Sequence, residues 1–296
     1  MPSRWPMDNG TAVRCPSGLY VVATPIGNLA DITLRAVQTL QGVDLIAAED
    51  TRHTLRLLRH YRIRTPLISC HEHNEHQRSP ELIEKIQAGA SVALVADAGT
   101  PSLSDPGYRL VRAAVEAGLD LFPIPGVSAA ITALCVSGLP TDAFVFVGFV
   151  PRKAGKRLEL LTGLAAEPRT LVFYESPRRV RGLLEAIRTL IGDRPAVLAR
   201  EMTKLHEEFI RGPLSAIETR LAERAEIKGE CTLLVAGRSA PDAVAAGDLE
   251  AALVEALARP GVHLSRLTQT LARQYGLPRK TVYALALDIQ KSGRTL

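Results

Sequence analysis

Short apolar runs and segments of helical period alternate along most of this chain. Residues 19–23 form the first run, and residues 24–28 break it as a loop. Asp31 is placed to cap a helix carrying Leu34, Val37 and Leu40 on one face. Residues 45–48 predict a second strand, ending at Glu49 and Asp50, and a helix with Leu55 and Leu58 follows. Next come a short strand at 66–69, a polar loop at 71–79, a helix at 81–87 and a strictly apolar strand at 92–96. A Gly/Pro-rich loop spans 97–107, and a helix then runs to Ala117. A strand at 121–124 leads through Pro125 and Gly126 into a helix that continues to Cys135. Near-continuous apolar strands separated by helices predict an α/β fold with a parallel-rich sheet covered on both faces.

Gly138, Leu139 and Pro140 mark a domain boundary. Residues 144–149 open a second α/β unit, with strands at 170–173, 196–199 and 232–236. Helices start near Pro177 and Pro213, and residues 207–211 form an extended or hairpin piece. Small residues across 239–248 read as a linker. Beyond it, a helix from Leu264 carries Leu267, Leu271 and Tyr275, and Gly276, Leu277 and Pro278 make a sharp turn. A second helix over 279–290 turns Val282, Leu285 and Ile289 inward, which is the spacing of a helix-turn-helix. The expected organisation is a disordered leader (1–17), two α/β domains (18–140 and 141–238), the linker, and a small all-α module (249–296).

Composition adjusts this picture little. A length of 296 residues suits two domains and a module, and 46% apolar content supports sizeable cores. The net charge of +5 fits an anionic partner, while 4% aromatic content argues against a ring-rich base-stacking surface. Cys15, Cys70, Cys135 and Cys231 are scattered, with no metal-type pair, and read as buried thiols in a reducing, cytoplasmic setting. Residues 1–17 lack the apolar run of a signal peptide, and charge, Gly or Pro interrupts every apolar stretch before membrane-spanning length.

Two common nucleotide signatures are absent. No two glycines are separated by a single residue, so the usual dinucleotide fingerprint fails. Gly155-Lys156 is followed by Arg157, and Val150 stands where a P-loop needs glycine. The run from His71 to His76 places Glu75 where a zincin motif needs histidine. His73 and His76 as ligands compete with a solvated loop and with a polar active-site or RNA-facing loop, and the expected metal content is none. Two loops at strand ends remain as a cofactor cleft: residues 97–107 with Gly99, and residues 125–130 with Gly126 and Ser128. Arg152, Lys153, Lys156 and Arg157 form one candidate phosphate-contacting cluster, and Arg178, Arg179 and Arg181 another. Arg279 and Lys280 open the last helix.

Eight motifs occur in order at 24–29, 48–52, 71–74, 97–107, 125–129, 151–153, 173–179 and 200–204. On these the chain resembles the tetrapyrrole methylase superfamily over residues 18–240, and within it the bacterial branch that 2′-O-methylates a cytidine of small-subunit (16S) ribosomal RNA. The resemblance implies two α/β domains with a cofactor cleft between them, usually in a homodimer, and S-adenosylmethionine bound mainly through backbone groups. It implies that Pro25, Ile26 and Gly27 wall the cofactor, that Asp97, Ala98, Gly99, Thr100 and Leu103 lie against it, and that Ser128, Ala129 and Tyr174 line it. For a ribose hydroxyl nucleophile, Glu49, Asp50, His71 and Glu175 are alternative bases that the sequence does not rank. Arg52 and Lys204 are expected to position phosphate or stabilise the alkoxide. A small-molecule acceptor such as a tetrapyrrole precursor, and a nucleic-acid-binding protein without catalysis, are the rival readings. Tetrapyrrole-specific members carry a Gly-rich loop after the first strand that residues 24–28 lack.

Overall fold

The computed structural model describes residues 14–238, 246–257, 262–275, 277 and 279–292. Strands β1 (Gly18–Val22), β2 (Leu45–Ala48), β3 (Leu67–Ser69), β4 (Ser91–Val95) and β5 (Leu121–Ile124) form one sheet in the order β3-β2-β4-β1-β5. Every pair in it is parallel. Helices α1 (Leu34–Gly42) and α2 (Thr51–His60) cover one face, and α3 (Glu75–Gln87) and α4 (Tyr108–Glu116) cover the other. Successive strand residues point to opposite faces, so both must be apolar. Tyr20, Val22, Ile46 and Ala93 pack against Ala36, Leu40 and Leu58 on one side. Leu19, Ala47, Val92 and Leu94 pack against Leu82, Ile86 and Leu110 on the other.

The second sheet contains β6 (Phe144–Phe149), β7 (Thr170–Glu175), β8 (Pro195–Arg200), β9 (Glu208–Pro213) and β10 (Cys231–Val235), ordered β6-β7-β10-β8-β9. Only β6 and β7 run parallel; the other three pairs are antiparallel. The expected parallel character therefore holds for the first sheet alone. In the second, the short 201–207 connection returns the chain beside β8 as a hairpin. Helices α6 (Ala154–Gly163), α7 (Val180–Ile191) and α8 (Leu214–Ala222) bury one face through Leu161, Leu184 and Ile217. The opposite face, with Val172, Val197 and Leu234, packs on α5 (Ala129–Cys135) through Ala130, Ala133 and Leu134.

Several expectations are corrected. Thr33, not Asp31, caps α1; Asp31 lies in a 3-10 turn at Leu29–Asp31 capped by Asn28. The polar loop predicted over 71–79 ends early, because α3 already starts at Glu75. The described part of the leader is fixed to the first sheet's domain: Cys15 is buried, its N–H donates to Gly42 O at 2.9 Å, and the Ser17 hydroxyl donates to Ile86 O at 2.9 Å. Cys15, Cys70 and Cys231 are buried as expected, but Cys135 is exposed. The rest of the leader, linker residues 239–245 and the turn residues Gly276 and Pro278 lie outside the described residues.

The C-terminal unit is built from α9 (Ala246–Leu257), α10 (Leu264–Gln274) and α11 (Arg279–Ser292). Its own core includes Leu249, Leu253, Leu271, Val282 and Ile289. The first residues of α9 fall within the stretch read as linker. Among the described residues, no helix is long and apolar enough to cross a membrane.

The early start of α3 matters because it carries a buried carboxylate to the start of α4. Glu75 Oε1 accepts from the N–H groups of Gly107 (3.1 Å), Arg109 (2.8 Å) and Leu110 (3.2 Å). It meets orphan donors at the positive end of the helix dipole. Glu75→Ala should cost about 3 kcal/mol in urea unfolding, because buried N–H groups lose their acceptor. Glu75→Gln, which keeps an acceptor, should lose less; a loss below about 0.5 kcal/mol for the alanine variant would contradict this role.

Candidate active site

The first sheet's connections separate at neighbouring strands. From β1 the chain crosses to β2 on one side, and from β4 it crosses to β5 on the other. Such a divergence opens a crevice at the carboxyl ends of the strands. Here the two loops are tied together: Thr24 and Gly99 exchange backbone hydrogen bonds at 2.8 and 3.0 Å, and the Thr24 hydroxyl donates to Ala96 O at 3.1 Å. Gly99 has φ +81°, a conformation that side chains rarely adopt. Further along the loop, Ser102 and Ser104 take left-handed φ values of 71° and 66°. Backbone strain of this kind concentrates where a loop must aim particular groups. It turns Leu103 outward, where its side chain walls a cavity.

The second sheet closes that cavity. Gly148 sits at a register shift between β6 and β7, with φ +70° and Ser104 Oγ where a Cβ would stand. This close approach seats the strand against the strained loop. Tyr174 reaches from β7 to the start of α5, where its hydroxyl oxygen accepts from Ala130 N–H at 3.0 Å. The rings of Phe146 and Phe149 pack edgewise on it. Burial raises the Tyr174 pKa, so its hydroxyl stays protonated at neutral pH.

The resulting cavity has a volume of about 290 Å³. Of the residues expected to hold the cofactor, it brings together Ile26, Ala98, Gly99, Thr100, Leu103, Ser128, Ala129 and Tyr174. Glu175 also lines it: Oε1 accepts from Ser176 N–H at 2.7 Å, and Oε2 lies buried 2.9 Å from the Arg179 guanidinium without a hydrogen bond. An adjoining cavity of about 300 Å³ gathers Pro25, Gly27, Asp97 and Lys204. There the Lys204 stem lies against Gly27, while its ammonium donates to Glu201 at 2.8 Å and Glu230 at 3.0 Å. Burial pulls the Lys204 pKa down, but the hydrogen bonds to these carboxylates outweigh it and leave a net rise.

Asp50, Arg52 and His71 line neither cavity. Asp50 caps α2 and accepts from Arg52 Nε at 3.1 Å and a terminal nitrogen at 2.7 Å. The Arg52 hydrogen bonds hold its carboxyl well below the usual range. His71 Nδ1 accepts from Asn74 N–H at 3.2 Å. Among the described residues, no three His, Cys, Asp or Glu side chains converge as a metal site.

Sequence reasoning missed Asp105. It sits in the quoted 97–107 loop, yet only the fold brings it into the cavity, facing groups from other strand ends. Burial pushes its carboxyl up to about 7, helped by the negative charges of Glu49, Asp97 and Glu230. Glu49 is itself raised, mainly by burial.

The basic residues separate into two kinds. Arg152 and Lys153 precede α6, and Lys156 and Arg157 occupy its first turn, which holds no acidic residue. Positive side chains there add to the positive helix terminus instead of offsetting it. Residues 152–157, which carry the candidate phosphate-contacting cluster, are therefore mostly a helix start. Arg179 points inward, paired with Glu175 and donating to Val150 O at 2.7 Å. Arg181 donates to the carbonyls of Leu221 and Arg224 at the end of α8. Arg178 is exposed. In the C-terminal unit, Arg279 donates to Ser265 Oγ at 2.8 Å, and Lys280 is exposed.

Two α/β domains meeting over a loop-walled cavity are the architecture of one methylase class. Residues 18–218 match the family described as Tetrapyrrole (Corrin/Porphyrin) Methylases, and the chain belongs to that family. A solved uroporphyrin-III C-methyltransferase from Thermus thermophilus, complexed with S-adenyl homocysteine, shares the fold at TM-score 0.52 and 18% identity, covering 74% of this chain and 97% of that one. More specifically, the chain is 48% identical to the ribosomal RNA small subunit methyltransferase I of Synechocystis sp., over 93% of this chain and 99% of that protein. It is 46% identical to the protein of the same name from Escherichia coli O157:H7, over 92% of this chain and 95% of that protein.

Tyr174→Phe should leave the Ala130 N–H without its acceptor while keeping the ring in place. A stability loss of about 1–3 kcal/mol in thermal unfolding is expected. An unchanged midpoint would show that the hydroxyl does not bind β7 to α5.

Proposed function

We propose that this chain is an S-adenosylmethionine-dependent methyltransferase that modifies the ribose 2′-oxygen of a cytidine in small-subunit (16S) ribosomal RNA. The observation that carries the reading is near-full-length identity of 48% and 46% to proteins named for methylating that RNA. The cavity supports it. Gly99 and the start of α5 present backbone to a ligand, Ile26 and Leu103 give apolar walls, and the nearby carboxylates of Asp105, Asp97 and Glu230 favour a cation such as a sulfonium.

When bound, the cofactor supplies an activated methyl group. The residues around it have to hold the acceptor oxygen in line with that methyl and exclude water. Ala98, Gly99, Thr100 and Leu103 would face the methionine part, with Ser128, Ala129 and Tyr174 closing the other side. Lys204 neutralises Glu201 and Glu230 at the rim of the adjoining cavity, which suits a place beside an RNA phosphate. The α6 start, with Arg152, Lys153, Lys156 and Arg157, is the strongest candidate for backbone phosphate contact. A tetrapyrrole acceptor has less support, because the loop at 24–28 lacks the glycines of the tetrapyrrole-specific members. Work in the cytoplasm as a homodimer completes the reading. Leu34 and Leu205, 83% and 93% exposed, are apolar surface of the kind that a second copy would cover.

The direct test compares ribosomal RNA nucleosides, by nuclease digestion and mass spectrometry, in cells with and without the gene. A 2′-O-methylcytidine that disappears with the gene is expected; a base methyl on a normal ribose would overturn the reading. Replacing Arg152, Lys153, Lys156 and Arg157 by Ala should lower the slope of log K against log salt by up to about 3 if all four contact phosphates, leaving cofactor affinity intact. An unchanged slope would return the cluster to solvent.

The C-terminal helices are assigned to substrate capture through Arg279 and Lys280. Ending the chain after residue 238 should preserve cofactor binding and weaken RNA affinity more at physiological than at low salt. Equal methylation by the shortened and full-length proteins at both salt concentrations would remove that role.

A further inference from the structure

Methyl transfer to a ribose hydroxyl needs a group that takes the hydroxyl proton, and the cavity offers few free ones. Glu175 Oε1 takes the Ser176 N–H and hydroxyl, and its Oε2 is fully buried beside the Arg179 guanidinium, away from any substrate. Asp50 is held by Arg52 outside the cavity. His71 Nδ1 is already an acceptor for Asn74 N–H, so in the neutral ring the other nitrogen carries the proton. The Tyr174 hydroxyl keeps its proton. Glu230 is occupied by Lys204, and Asp97 by the N–H of Asp50. That leaves Asp105. It lines the cavity beside Leu103 and Tyr174, and among the described residues no hydrogen-bond donor sits on its carboxylate.

We propose that Asp105 accepts the proton of the ribose 2′-hydroxyl as the methyl group is transferred, a role that rests on the methyltransferase reading above. The ribose oxygen forms its bond to the methyl carbon while the carbon–sulfur bond breaks, its electron pair remaining on sulfur. The hydroxyl proton passes to an Asp105 carboxylate oxygen, and the positive charge of the sulfonium is discharged in the same step.

The surroundings suit the task. Glu49 at the end of β2, Asp97 at the end of β4 and Glu230 before β10 all bear negatively on Asp105, while Tyr174 faces it from β7, Glu175 lines the same cavity and Lys204 offsets part of the Glu230 charge. Burial and these neighbours bring its carboxyl to about 7, far closer than an ordinary aspartate to the strength that a base needs near neutrality. A bound sulfonium lowers it again, keeping the carboxylate ionised in the loaded enzyme. The carboxylate thereby discriminates between the charged cofactor and its uncharged product.

Asp105→Asn and Asp105→Glu test this in the full-length protein. The first readout is calorimetric affinity for S-adenosylmethionine and for S-adenosylhomocysteine between pH 6 and 8. In the wild type the preference for the charged ligand should grow with pH by up to about tenfold; in Asp105→Asn it should be flat. The second is the single-turnover methylation rate on small-subunit RNA with both substrates saturating. Asp105→Asn should lose about 10²–10⁴-fold with RNA affinity unchanged, and the acid limb of the wild-type profile, which the bound sulfonium moves below pH 7, should vanish. Asp105→Glu should recover part of the rate. An Asp105→Asn rate within threefold of wild type, or the same acid limb, overturns the proposal while leaving the methyltransferase reading intact. A wild type that binds cofactor but methylates no ribosomal RNA overturns both.

Discussion

The seam between α5 and the second sheet is the constraint on which the site depends. Ala130, Ala133 and Leu134 press into the face formed by Val172, Val197 and Leu234, and the Tyr174 hydroxyl closes the seam by meeting the Ala130 N–H. Apolar burial gives this contact its strength, and the hydrogen bond gives it a register. The cavity lies beside the seam, with walls from both domains.

Around that seam the loops are held by groups that have nothing to do with chemistry. Glu75 anchors the far end of the 97–107 loop from α3, Thr24 anchors its near end, and the strained Ser102 and Ser104 lie between. Strain persists only where the surroundings over-determine it, and two fixed ends provide that. On the opposite wall, the 201–207 connection places Lys204 on Gly27, with Thr203 Oγ1 accepting from Asn28 N–H at 3.1 Å. Left-handed φ values at Glu201 and Thr203 mark this loop as another constrained one.

Much of the first sheet was legible because each of its strands is buried on both faces, which writes an unbroken apolar run into the sequence. The second sheet was harder: its antiparallel pairs depend on connections such as 201–207, whose residues carry no strand signal. The cofactor loops could be named from motif order, but not what faces what. Glu75 read as part of a polar loop, since nothing local shows that its partner is a helix start some thirty residues on. Asp105 was not singled out within the 97–107 loop for the same reason, its significance lying in Glu49 and Glu230 on other segments and in Asp97 at the loop's start. Arg179 illustrates the converse. Its place in a basic run suggested solvent or RNA, whereas the fold spends it on Glu175.

The distribution of charge follows from these placements. The ionisable groups lining the first cavity are acidic, Asp105, Glu175 and Glu230, while the adjoining cavity adds Arg56, His53 and the paired Lys204. Further positive charge lies outside, at the start of α6, where helix terminus and side chains reinforce each other. A polyanion is thus attracted to the rim and repelled from the interior. Only a group without charge of its own, such as a ribose hydroxyl, enters the acidic cavity without penalty, while a cationic cofactor gains from it. A solved methyltransferase shares the fold; in this chain the first cavity suits a cation and the start of α6 suits phosphate.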